Sequence, residues 1–152
     1  MFAWRIAKKR YALDRTGVGA AIKGGRWNSQ NRHAIYAGRT LEIAALEKLV
    51  PTGSILPQDL VIVRLDLPDE AELYEKPGLQ DLPKGWSDTP AAPGVSDYGD
   101  QFLMKGERLG LIVPSAVIPE AENIVINPVH PRMMDVKMEI VRAFTFDPRL
   151  RP

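Results

Sequence analysis

The sequence predicts one α+β domain, and three observations point there. Short β-branched runs recur along the chain, two segments carry helix start and stop signals, and no repeat or low-complexity tract divides the whole. At 152 residues and 45% hydrophobic content the chain can bury one core and is too short for two full domains, so residues 1–152 read as a single unit.

The strand candidates are His33 to Ala37, Leu60 to Asp66, Leu109 to Val113, Asn123 to Asn127 and a longer run from Met138 to Phe146. In the last, Met138, Ile140, Arg142, Phe144 and Phe146 share one face by period two, which predicts a central or long strand. A helix is expected from Leu41 to about Val50, with Thr40 as its cap, Glu42 in its first turn and Pro51 as its stop. A second is expected from Asp97 to Lys105, capped by Ser96, with Tyr98 and Phe102 one turn apart and Gly106 at its end. Between Leu67 and Gly94 five prolines and two further glycines, Gly78 and Gly85, break regular structure. That excursion is either a lid or partner-binding segment or a plain surface insertion.

Composition removes several classes of function. The 20 Lys and Arg stand against 19 Asp and Glu, a net charge of +1, which argues against a direct nucleic-acid partner and makes any anion recognition local. Without cysteine there is no disulfide, thiolate metal site or cysteine nucleophile. His33 and His130, the only histidines, lie far apart, so no metal is expected. The opening Met1-Phe2-Ala3-Trp4-Arg5-Ile6 runs straight into Lys8, Lys9 and Arg10 without the apolar core of a signal peptide, and no apolar run approaches the ~20 residues of a membrane helix. The expectation is a soluble cytoplasmic protein with no membrane partner.

Three familiar motifs fail. Gly17-Val18-Gly19-Ala20-Ala21-Ile22 lacks the third glycine of a dinucleotide fingerprint. Gly19 and Gly24 have the outer spacing of a phosphate loop, but Gly25-Arg26 stands where Lys and a hydroxyl residue are required. Ser115 lacks the glycines that flank an esterase nucleophile.

Other residues survive as candidates, each with two readings. In Gly24-Gly25-Arg26-Trp27-Asn28 the guanidinium follows two glycines, so the segment is either an anion clamp or a glycine turn with an exposed Arg and a core Trp. Arg5 is a second candidate cation or a snorkelling side chain. Glu47 falls beside Ile43, Ala44 and Val50 on its helix, so it faces inward or rims a cleft. Burial there calls for compensation by an arginine or a ligand hydroxyl; the alternative is a helix-edge acid paired with a surface Lys. Tyr36, opposite in alternation to Ile35, faces either the core or a site. Ser115 and Asn127 each stand where a strand ends, as site-rim groups or turn formers.

Taken in order, Trp4-Arg5-Ile6, Gly24-Gly25-Arg26-Trp27-Asn28, Ile35-Tyr36, Ala45-Leu46-Glu47, Val113-Pro114-Ser115, Asn123-Ile124-Val125-Ile126-Asn127-Pro128 and Phe146-Asp147-Pro148-Arg149-Leu150 resemble the landmarks of the RES domain family, toxins of the Res-Xre type of bacterial toxin-antitoxin systems. The region from Asp69 to Ala92 matches least. The resemblance implies an ADP-ribosyltransferase-like fold, with a central split β-sheet, flanking helices and an NAD-binding cleft. It implies NAD+ as substrate rather than a prosthetic cofactor, cleaved by hydrolysis or phosphorolysis, or used for ADP-ribosylation of a protein. It also implies an Xre-like helix-turn-helix antitoxin as partner and a homodimer within the complex.

The family's Arg, Glu and Ser are carried onto Arg26, Glu47 and Ser115 as catalytic residues. Loss of nicotinamide builds positive charge on the ribose while the leaving group departs neutral, so one carboxylate suffices. Glu47 would bond the ribose hydroxyls and stabilise that charge. Arg26 would hold the pyrophosphate with Arg5 as second cation. Tyr36 would stack on the nicotinamide or line its pocket, and Ser115 would bond the ribose or carboxamide, with Asn28 and Asn127 completing the binding set as turn formers. A non-catalytic nucleotide- or protein-binding module, with Arg26 and Glu47 as a structural ion pair, is the alternative from a different class. An RNA-cleaving toxin is disfavoured by the near-neutral charge and unpaired histidines.

Overall fold

A computed structural model describes residues 1–150. In chain order the elements are β1 (Phe2–Lys8), α1 (Val18–Lys23), β2 (Ile35–Gly38), α2 (Leu41–Leu49), β3 (Leu60–Asp66), β4 (Tyr74–Glu75), α3 (Val95–Lys105), β5 (Gly110–Pro114), β6 (Glu122–Ile126) and β7 (Lys137–Phe144). The strands form one mixed sheet in the order β4-β5-β6-β2-β1-β3-β7, antiparallel apart from the short β4–β5 pair. The expected α+β class is thus the one observed. Among the described residues no helix is long and apolar enough to cross a membrane.

The sheet is divided at its middle. β1 pairs with β3 along seven residues, from Phe2↔Asp66 to Lys8↔Leu60, and β2 pairs with β6 along four. Between these halves, however, β1 and β2 share the single pair Trp4↔Gly38. The two strands then splay, and segment 9–34, which carries α1, bridges the gap.

β3 explains how one half holds together. Its residues Leu60–Val63 and Leu65 are all buried, because both faces of the strand are covered. Val61, Val63 and Leu65 join Ala3, Ala7, Ile35, Ile124 and Ile126 in the largest core cluster. Leu60 and Ile62 point the other way, to Ile6, Leu49 and Phe146 beneath α2. On the second half, Leu111, Val113 and Val125 pack with Trp27, Val95, Phe102 and Leu103, so α3 covers β5 and β6.

Thr40 caps α2 by accepting the Ile43 N–H at 3.3 Å, as expected, though Val50 is exposed rather than part of the inward stripe. α3 begins at Val95 after Gly94, so Ser96 lies inside its first turn and does not cap it. Gly106 closes it in the left-handed conformation (φ 64°).

The last strand is long, as expected, but differs in position and in facing. β7 is the longest strand, but it lies at an edge of the sheet and not at its centre. Its register breaks beside Ile62 and Val63: Ile140 pairs with Val63 while Arg142 pairs with Ile62, leaving Val141 as the extra residue. One extra residue reverses the alternation. Met138 and Ile140 therefore pack on the largest cluster, whereas Phe144 turns to the opposite face beside Phe146, their rings 4.8 Å apart.

The excursion from Leu67 to Gly94 is folded onto the body. Leu82 is buried, and Trp86, Ala91 and Ala92 pack on the cluster beneath α3.

α3 approaches the Trp27 backbone so closely that a Cβ on Gly99 would lie 1.8 Å from the Trp27 carbonyl oxygen. Gly99→Ala is expected to destabilise the fold by about 3 kcal/mol or more through forced separation of helix and turn. Gly19→Ala, with open space around the same atom in a helical setting, is expected to be neutral or to stabilise by up to ~1 kcal/mol. Urea unfolding of the two variants measures the contrast.

Candidate active site

The splay of β1 from β2 opens a cleft of about 240 Å³. Its walls are Trp4, Arg5 and Ile6 of β1, Tyr36, Ala37 and Gly38 of β2, Ala44, Glu47 and Lys48 of α2, and Asn123 of β6. Gly38 is the pivot, because it pairs with Trp4 on one side and with Asn123 on the other. Three of the predicted site residues, Arg5, Tyr36 and Glu47, meet here.

Glu47 lies half-buried one turn beyond the buried Ile43 and Ala44, and two neutral groups hold it. The Ser115 hydroxyl donates to its Oε1 at 2.7 Å, and the Asn123 Nδ2 donates to the same oxygen at 2.6 Å. Of the expected compensation, an arginine or a ligand hydroxyl, no arginine is present at the carboxylate; the protein's own hydroxyl and amide donate to it. The proposed structural ion pair of Arg26 with Glu47 is not formed.

Ser115 is fully buried. Its one hydroxyl proton goes to Glu47, while its oxygen accepts the N–H groups of Val117 (3.0 Å) and Ile118 (3.3 Å) in the turn after β5. It stands behind Glu47 and is not among the residues that line the cleft.

Tyr36 sits at another part of the cleft and is tied to the 24–28 turn. Its hydroxyl donates to Asn28 Oδ1 at 2.6 Å and accepts the Trp27 N–H at 3.0 Å. Gly25 has to be small here, since a Cβ would come within 2.8 Å of Asn28 Oδ1 and 2.9 Å of the Tyr36 oxygen. The close backbone approach expected toward a ligand is thus used inside the protein. Asn28 is buried and donates to the carbonyls of Ala20, Ser29 and Arg32. Ser29 donates to Asp100 of α3 through both its N–H and its hydroxyl.

Arg26 is not part of the cleft lining. Its Nη1 donates to the carbonyls of Trp86 (2.7 Å) and Asp88 (2.8 Å), which fastens the 67–94 excursion to the turn. It reaches the site electrically through Tyr36, whose ionisation its charge favours. Asn127 lies at the other end of β6, with Nδ2 donating to Leu103 O and Oδ1 accepting the Val129 N–H. It fixes a turn remote from the cleft walls.

Asn123 and Lys48 are the polar lining residues to which the sequence pattern gave no role. Asn123 and Asn127 share one face of β6 by period two, so only the cross-strand register, Asn123 opposite Gly38, marks Asn123 as the one at the cleft.

Burial lowers the pKa of Arg5, and Asp14 works against that shift. Burial raises the Tyr36 phenol far above the ordinary tyrosine range; the Trp27 N–H opposes this, Asp100 adds to it and Arg26 opposes it.

A family model described as RES domain matches residues 2–148. The chain is 37% identical to a protein named Prs ADP-ribosylating toxin from Sphingobium sp. (strain YBL2), over 97% of this chain and 94% of that protein. It is 34% identical to the Toxin Res of Yersinia enterocolitica, over 99% of this chain and the whole of that one, and 36% identical to the Toxin Res of Pseudomonas putida, over 99% of each. Among solved structures, a chain of the M. tuberculosis MbcT-MbcA toxin-antitoxin complex shares the fold with a TM-score of 0.68 at 19% identity, covering 99% of this chain and 86% of that one.

The Tyr36 environment makes a pH prediction. A raised pKa means that the fold favours the neutral phenol. The stability this provides is complete below the unfolded value near 10 and declines as pH rises toward the folded value. Urea unfolding at pH 8 and pH 11 is expected to show a loss at the higher pH that is smaller in Tyr36→Phe.

Proposed function

This chain belongs to the RES domain family, and from that premise we propose that it is a toxin of a toxin-antitoxin system that binds NAD+ in the Glu47 cleft and breaks its nicotinamide-ribose bond. One observation carries the reading: a lone carboxylate lines the cleft, held through Oε1 by two neutral donors, with no hydrogen bond to its Oε2 among the described residues. Neutral donors orient the carboxylate without cancelling its charge, whereas an arginine pair would have spent that charge inside the protein.

In the proposed step the bond between the anomeric carbon and the nicotinamide nitrogen breaks, and its electron pair stays on the nitrogen, neutralising the ring. Positive charge spreads over the anomeric carbon and ring oxygen of the ribose. Glu47 Oε2 accepts a ribose hydroxyl and places its negative charge against that developing cation. A water oxygen then bonds to the anomeric carbon and loses its proton to solvent, giving ADP-ribose, nicotinamide and H+. With inorganic phosphate as nucleophile the product is the sugar phosphate.

A cleft of about 240 Å³ lies just below the range of about 300–1,000 Å³ typical of small-molecule sites. It suits the nicotinamide-ribose end and leaves the adenosine end outside. Tyr36 and Trp4 supply the aromatic walls for the ring. Ser115 and Asn123 position Glu47, Asn28 positions Tyr36, and Arg26 anchors residues 86–88 beside the same turn. The structural neighbour comes from a toxin-antitoxin complex; for this chain an Xre-like helix-turn-helix antitoxin would act by covering the cleft.

The name of the Sphingobium relative favours a second outcome from the same cleft, in which a protein side chain replaces water and retains the ADP-ribose. NAD+ labelled in its adenylate half tells these apart. Free ADP-ribose or its phosphate marks cleavage to a small product, and label on a protein band marks transfer. Intact NAD+ in every condition refutes both. Glu47→Gln is expected to slow NAD+ consumption at least about 100-fold while unfolding cooperatively like the parent; an undiminished rate would refute the role of Glu47.

A further inference from the structure

Several cations of this chain are neutralised on its surface: Arg39 and Lys76 by Glu122, Arg64 by Glu139, Arg132 by Glu70 and Asp135, and Arg149 by Asp147. Lys48 and Arg5 differ. Both line the cleft, and neither makes an ion pair or side-chain hydrogen bond among the described residues. Glu47 is the one acid in the lining, so the cleft walls carry an excess of positive charge.

The surroundings increase that excess. Partial burial, followed by the positive charges of Lys23, Arg5 and Lys8, lowers the Lys48 pKa, and none of these neighbours is a carboxylate. Arg5 has Asp14 as its opposing charge, but burial outweighs it. Partly desolvated like charges around one crevice oppose folding unless an anion enters. Lys48 and Arg5 line the cleft itself, and the exposed Lys23 and Lys8 add their positive charge at Lys48.

We infer that Lys48 is a phosphate-binding residue of this cleft and works with Arg5. Resting on the NAD+ reading, this assigns the substrate phosphates to Lys48 and Arg5 in place of Arg26, whose Nη1 is committed to the Trp86 and Asp88 carbonyls. Consecutive residues on a helix diverge by about 100°, so Glu47 and Lys48 address different parts of one ligand, the acid at the ribose and the ammonium at the phosphates. An ammonium with three donors suits a tetrahedral oxyanion. The phosphate is either the diphosphate of the dinucleotide or free inorganic phosphate acting as nucleophile; the binding chemistry is the same.

The test uses Lys48→Gln and Lys48→Arg, with Lys105→Gln on the exposed end of α3 as a charge control. Calorimetric titration at low salt measures binding of inorganic pyrophosphate and of inorganic phosphate. Lys48→Gln is expected to weaken the anion that occupies the subsite about tenfold, the loss of one charge-assisted contact. Lys48→Arg should retain most of the affinity and Lys105→Gln all of it. In turnover assays, a raised KM for NAD+ with little change in kcat identifies the dinucleotide's diphosphate. Loss of only the phosphate-dependent rate identifies free phosphate. Unchanged affinity for both anions in a Lys48→Gln protein with parental thermal unfolding overturns the inference, as does failure of the parent to bind either. Because titration needs no turnover, Lys48-dependent anion binding with intact NAD+ would refute the reaction and leave the subsite standing.

Discussion

The geometry of the cleft depends on how one carboxylate is held. Glu47 receives two short hydrogen bonds on the same oxygen, from a hydroxyl and an amide that come from opposite ends of the β5–β6 turn. Both donors are neutral, so the carboxylate keeps its charge while its orientation is restricted. Ser115 can do this because the turn beyond it donates two N–H groups to the hydroxyl oxygen and leaves its proton for Glu47. The capped start of α2 brings the acid to the same place from the other side.

That arrangement requires a sheet that is continuous in order and divided in fact. β3, covered on both faces, stabilises β1 through seven paired residues, and β6 does the same for β2 through four. Each half thus has its own ladder, and one core cluster, with Ala3, Val61 and Val63 from one half and Ile35, Ile124 and Ile126 from the other, joins them. One shared pair at Gly38 keeps them aligned, and the remaining gap becomes the cleft. Ladder hydrogen bonds along the seam would have filled this space, so the cleft exists where sheet pairing stops.

Around the gap, chemistry and packing are joined by the 24–28 turn. Asn28 binds three carbonyls and the Tyr36 hydroxyl, while Trp27 lies beneath Tyr98 with ring centroids 6.0 Å apart. Arg26 extends the same unit to residues 86 and 88. The tyrosine wall of the cleft is thus fixed by a network reaching α3 and the long excursion. Among the described residues, Arg5 and Lys48 on the other wall have no such hydrogen-bonded network.

Local patterns in the sequence determined the strands from Leu60 to Asp66 and near Asn123, the capped helix carrying Glu47, the glycine end of α3 and the candidacy of Arg5, Tyr36, Glu47 and Ser115. The landmarks in order carried the family resemblance. These features were legible because caps, β-branched runs and helical periodicity act over a few residues. The bulge at Val141, the partners of Glu47, the commitment of Arg26 to backbone carbonyls and the place of Asn123 at the cleft were decided only by the tertiary structure. Each depends on cross-strand register or on contacts between segments separated by about sixty residues or more, and a linear pattern specifies which face a residue takes without specifying what stands opposite it.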